Sequence, residues 1–220
     1  MFEATKIIQG NNDWITLVLL AVFSILTLLK ILYKNRLIHI NTLFISNRNI
    51  TIYFNKEKNR LLDGFHMLFF IIQLLILSLL FYLGNVYFQF QKTELNFNYF
   101  LLIFCGIGGY LISHYLVGLL IAFLFDFKKE YSKIIFFKLN YFNNLVLWLF
   151  PFLILSFYAA SFNYLLLKIT LVLLVLLINL ITILILVNNK KLILSNLFYF
   201  ILYICALEIA PLIIILKLTI

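Results

Sequence analysis

An all-α integral membrane fold, a bundle of about six transmembrane helices with short interfacial segments in the cytoplasmic loops, follows from three observations. Of 220 residues, 65% are hydrophobic and only 11% are charged, and the apolar residues gather into runs of bilayer length. A soluble domain is usually near half apolar and a quarter charged. A globule of this size has one core, too small to hide so many Leu, Ile and Phe side chains behind so few charges. Lipid takes the excess.

A hydrocarbon layer of roughly 30 Å is crossed by about 20 residues of helix. The runs that meet or approach this length are residues 14–33, 65–88, 99–125, 145–160, 164–187 and 197–218, which together make one polytopic domain over 1–220. The first is as long as a full span and is followed by no small-x-small cleavage site, so it reads as a retained helix and not a removed signal peptide. The fourth is short, and its start can lie several residues earlier. Only Ser161 to Asn163 separate the fourth and fifth runs, which makes them an antiparallel hairpin.

Basic residues alternate from side to side. Lys34, Arg36, Arg48, Lys56, Lys58 and Arg60 fall in the first loop, Lys128, Lys129, Lys133 and Lys138 in the third, and Lys190 and Lys191 in the fifth. The other side holds Lys6, Lys92 and Lys217, so the positive-inside rule puts the odd loops in the cytoplasm and both termini outside. The net charge of +9, spread between apolar runs, suits anionic lipid headgroups better than nucleic acid. Residues 38–54 alternate apolar and polar side chains around a Ser46-Asn47-Arg48-Asn49 turn, and residues 134–142 set Lys138 among aromatic and aliphatic neighbours. Both are expected to lie in the headgroup layer. Cys105 and Cys205 lie inside apolar runs, where a thiol acts as a small hydrophobe.

An ionisable side chain at the bilayer midplane costs at least about 2.5 kcal/mol, so it must face protein or water. His114 stands 12 residues before Asp126 and Glu208 13 residues after Ser195, which puts both roughly 20 Å from the cytoplasmic ends of their runs. Gln73 and Asn179 fall within a few turns of that level. These four make an expected intramembrane polar layer, either joining helices by buried hydrogen bonds or, through Glu208 and His114, answering to protons or ions. Pro211 follows Glu208 by three positions and kinks its helix. Gly106, Gly109, Ser113 and Gly118 give the third run small faces on which another helix can pack closely.

At the cytoplasmic face Asp63, His66 and Asp126 are candidates for a metal or headgroup site, the headgroup favoured, although Asp63 also fits a helix cap. No metal or cofactor is expected. The chain has no zinc-protease His-Glu-x-x-His, phosphate loop or Gly-x-Ser-x-Gly elbow, and Gly106-Ile107-Gly108-Gly109 lies inside a span, where it reads as helix packing.

The run Leu202-Tyr203-Ile204-Cys205-Ala206-Leu207-Glu208-Ile209-Ala210-Pro211-Leu212 resembles the end of a Bacteroidota membrane family, domain of unknown function 4271. Trp148-Leu149-Phe150-Pro151 and the basic loops before it extend the similarity. The resemblance implies an inner-membrane protein of a Gram-negative envelope, with Glu208 and Pro211 as a matched motif, and its outward termini would then be periplasmic. It brings no reaction, substrate or cofactor. The expected role is a non-enzymatic subunit or scaffold of an envelope complex, concerned with secretion or assembly, held to a membrane-protein partner or a second copy. A small ion- or proton-coupled transporter using Glu208 and His114 is the alternative, and a lipid-headgroup-modifying enzyme the third reading.

Overall fold

The computed structural model describes residues 13–41, 63–88, 97–124, 128–158 and 163–188, and all of them except Tyr33 and Asp63 are helical. The run 197–218, with Glu208 and Pro211, lies outside the described residues, as do Asp126 and most of the 38–54 segment. In chain order the helices are α1 (Asp13–Leu32), α2 (Lys34–Asn41), α3 (Gly64–Phe88), α4 (Phe97–Leu124), α5 (Lys128–Tyr158) and α6 (Asn163–Asn188). All but α2 are long and apolar enough to cross a membrane, the architecture of a multi-pass membrane protein.

Local chemistry starts and stops these helices. Asp13 stands in the first turn of α1 and Lys30 in its last, each matching the partial charge of its helix end. Asp63 begins α3: its Oδ1 accepts the Gly64 amide at 3.0 Å and its carbonyl accepts the Met67 amide at 3.1 Å. Three residues join α4 to α5, so those two helices pair as an antiparallel hairpin.

Ring contacts fix the two ends of the bundle. At one, the Tyr33 and Phe65 rings lie 5.5 Å apart and His66 sits 5.9 Å from Phe136. At the other, Trp14 packs on Tyr82 and Phe100, each at 5.1 Å, and on Phe97 at 5.6 Å, while Tyr158 Oη donates to Thr16 Oγ1 at 3.0 Å. Aromatic rings of this kind favour the border between hydrocarbon and headgroups. Lys30, Lys34, Arg36, Lys128, Lys133 and Lys138 fall on the Tyr33 side of the bundle, whereas Asp13 and Lys168 lie toward the Trp14 side.

α3 is the enclosed helix: 61% of its apolar window is buried, against 17% in both α4 and α6. Its partner in the interior is α5, which runs in the same direction and packs most extensively on α6. Phe65, Phe69, Ile72, Ile76 and Leu79 of α3 meet Tyr141, Leu145, Leu149 and Leu153 of α5 in one core, to which α1 adds Val22 and Leu29.

This arrangement corrects one expectation. Residues 134–142 are helical, not a loop before a short span at 145–160, and the fourth run starts earlier, as its length allowed. They belong to the first half of the 31-residue α5, with Ile134, Ile135, Phe136, Phe137, Asn140 and Tyr141 all buried. Lys133, Lys138 and three asparagines pull the mean hydropathy of this stretch down, so hydropathy alone starts the span too late. Position by position, those polar residues sit on a helix whose other faces are rings and aliphatic chains. At about 1.5 Å per residue α5 is about 46 Å long, well beyond the hydrocarbon thickness. A surplus of that length is enough to take its basic first turns beyond the hydrocarbon; there Lys128 Nζ sits 4.5 Å from the Phe123 ring centroid and Lys133 Nζ 6.0 Å from that of Phe137.

The hairpin closes on Gly118. Tyr131 reaches this glycine with the end of its ring and donates its hydroxyl to the Tyr115 carbonyl at 3.2 Å, so a Cβ at position 118 would overlap Tyr131 Oη and come within 2.8 Å of Cζ. Gly118→Ala is therefore expected to cost about 1–3 kcal/mol as an overpacked site. Gly106→Ala, where nothing among the described residues lies within 4 Å, should be neutral or gain up to about 1 kcal/mol of helix propensity. Unfolding midpoints of the two variants in one detergent would measure the contrast.

Candidate functional site

The face of α3 that meets α5 carries His66, Phe69 and Gln73 at helical spacing, and the facing strip of α5 carries Phe136, Asn140 and Asn143, with Asn144 beside it. Because the helices are parallel, His66 is level with Phe136 and Gln73 with Asn143, a constant offset that keeps the two strips in register. A seam of polar groups thus climbs from the basic end toward the middle of the bundle. The seven residues from His66 to Gln73 correspond to a rise of about 10 Å.

Its entrance is an ion pair. Arg36 of α2 donates Nη1 to Asp63 Oδ2, with both side chains about one fifth exposed. The guanidinium also covers the Phe65 and Tyr33 rings, at 5.6 and 5.7 Å. The Asp63 carboxylate is thus shared between Arg36 and the first amide of α3. Among the described residues, no three His, Cys, Asp or Glu side chains come together.

Above the ion pair the seam is enclosed. His66 is wedged between Phe65 at 5.6 Å and Phe136 at 5.9 Å. Asn140 donates Nδ2 to the Phe136 carbonyl at 2.8 Å, and Gln73 donates Nε2 to Asn143 Oδ1. Gln73, Asn143 and Asn144 are 2%, 1% and 0% exposed. Four polar atoms here have no hydrogen-bond partner among the described residues: His66 Nδ1, Asn143 Nδ2, and both Nδ2 and Oδ1 of Asn144. Buried polar atoms are nearly always paired, so four in one seam set it apart from the rest of the core.

The other expected site residues are distributed around this seam. His114 is half-buried on α4, its ring 6.1 Å from Tyr110 one turn earlier. Asn179 stands on an exposed face of α6 and returns Nδ2 to the Val175 carbonyl at 2.8 Å. Of the four layer residues, then, Gln73 pairs across helices with Asn143, which the sequence reading passed over, and Asn179 bonds within its own helix. Glu208, Pro211 and Asp126 fall outside the described residues. Gly106, Gly109 and Ser113 share an exposed face of α4, where Ser113 Oγ is bonded to the Tyr110 carbonyl, whereas Gly118 is filled by Tyr131. Asn140, Asn143 and Asn144 had a signal of their own, the spacing of three and four that puts asparagines on one side of a helix, but it lay in a stretch read as loop.

The profile of one family matches the chain across residues 15–219; its description is domain of unknown function, DUF4271. No curated protein and no solved structure matches the chain.

Proposed function

From the premise that this chain belongs to the DUF4271 family, we propose that it is a non-enzymatic subunit of the inner membrane of a Gram-negative envelope, working by packing its helices against another membrane protein. The observation that carries this reading is the open face of α4. Gly106 and Gly109 have nothing among the described residues within 4 Å, while Gly108 and Gly118 of the same helix are met by Leu74 and Tyr131. Between apolar helices in lipid there is no hydrophobic driving force, so association depends on close backbone approach, which small residues permit. The helix uses two of its glycines inside the bundle and leaves two others, with Ser113, for a partner. The basic end faces the cytoplasm in this reading, where its lysines meet anionic headgroups, and both termini are periplasmic.

Gly109→Leu is the test. The side chain would project from an exposed position, so folding should be unaffected, within about 0.5 kcal/mol. The membrane protein that co-purifies with the parent chain in mild detergent is expected to be lost. A lone monomer from native membranes, with no cross-link to any neighbour, would contradict the proposal, as would a complex indifferent to Leu at this position.

A further inference from the structure

We propose that the seam between α3 and α5 binds a file of water molecules that enters at the Arg36–Asp63 end and stops at Asn144, forming a one-sided hydrated vestibule inside the bundle. The argument starts from the four unpartnered atoms, His66 Nδ1, Asn143 Nδ2, Asn144 Nδ2 and Asn144 Oδ1. In hydrocarbon no bulk solvent reaches such groups, so they must be answered from within. Two of them are amide NH2 groups that need an acceptor, one is a carbonyl oxygen that needs a donor, and the imidazole nitrogen takes either according to its tautomer. The guest must therefore both give and accept hydrogen bonds. It is also uncharged, since the buried polar side chains of α3 and α5 among the described residues are amides, hydroxyls and one imidazole. Water meets every requirement and is small enough for a packed interior.

The file has a direction. Its lower end lies beside the Arg36–Asp63 ion pair, where both side chains are about one fifth exposed, and Asn140 carries polar character upward between His66 and Asn143. Above Asn144 the way is closed by Leu145, Val146, Leu149 and Leu153 of α5 and, at the far end, by the Trp14, Tyr82 and Phe100 rings. Among the described residues the vestibule is thus a blind polar pocket and not a pore.

Radiolytic hydroxyl-radical labelling of the full chain in lipid nanodiscs tests this, because ionising radiation splits bound water in place and the radicals mark the nearest rings. Phe69 and Phe136, both buried beside the seam, are expected to be oxidised at least several-fold more than Phe100, which is equally buried at the dry end. Labelling of Phe69 and Phe136 as low as that of Phe100 would overturn the proposal. The variant Asn144→Leu, which leaves the Gln73–Asn143 bond in place, supplies a second readout. If water answers the Asn144 amide, the variant loses part of the extra labelling and melts at or below the parent's temperature. If the seam is dry, removing two orphaned atoms raises the melting temperature, and that result would also overturn it. Should the variant fail to fold, the labelling of the parent chain decides alone.

Discussion

Gln73→Leu is expected to destabilise the protein by about 1–2 kcal/mol, because it removes the partner of the buried Asn143 Oδ1. Replacing both partners should cost less than the sum of the single changes. In Gln73→Leu/Asn143→Leu the seam loses a donor and an acceptor together, and the coupling between the two positions should reach about 1 kcal/mol, toward the upper end of the range for hydrogen bonds between membrane helices. Denaturant or thermal unfolding of the parent, the two single variants and the double variant in one detergent gives this number. Strict additivity would mean that the two amides do not meet.

The second large effect is expected at Tyr141, which lies in the stretch that hydropathy assigns to a loop but is 0% exposed. Lipid tails are as apolar as the core, so the transfer part of a large-to-small cost is small here, and the cavity part remains. At about 24 cal/mol per Å³, the space left by Tyr141→Ala corresponds to about 2–3 kcal/mol. The same change at Tyr158, near the end of α5 and 59% exposed, should cost well under half as much. An interfacial loop at 134–142 would give the opposite order.

How much of this was legible in the sequence depends on which physical signal each feature leaves. Helices such as α3 and α6 announce themselves, since uninterrupted Leu, Ile and Phe over bilayer length has few other outcomes. The first half of α5 is different: its hydropathy is diluted by Lys138, Asn140, Asn143 and Asn144, and only the pairing with α3 explains why a membrane helix keeps so many asparagines. Average polarity cannot tell a solvated loop from a helix whose polar strip is matched by another helix. The same limit applied to the candidate site. Gln73 stands out as a polar residue in a span, but its partner Asn143 lies 70 residues onward, in a stretch whose hydropathy does not mark it as part of a span. Depth alone ignores the rotational setting of each helix, which is why Asn179 shares a level with other polar residues and still bonds to its own backbone. Small residues pose a related problem. Gly108 and Gly118 pack within the bundle and Gly106 and Gly109 face out of it, yet all four read alike until neighbours are placed around them.

The pairing of α3 with α5 underlies both the core and the polar seam, and cross-linking measures it most directly. In a chain carrying Cys105→Ala and Cys205→Ala, the pair Gln73→Cys and Asn143→Cys should be joined by a short membrane-permeant dithiol reagent in intact membranes. Gln73→Cys with Trp148→Cys should not, because Trp148 stands on the exposed side of α5. Efficient joining of the second pair and none of the first would contradict the parallel, in-register packing of these two helices.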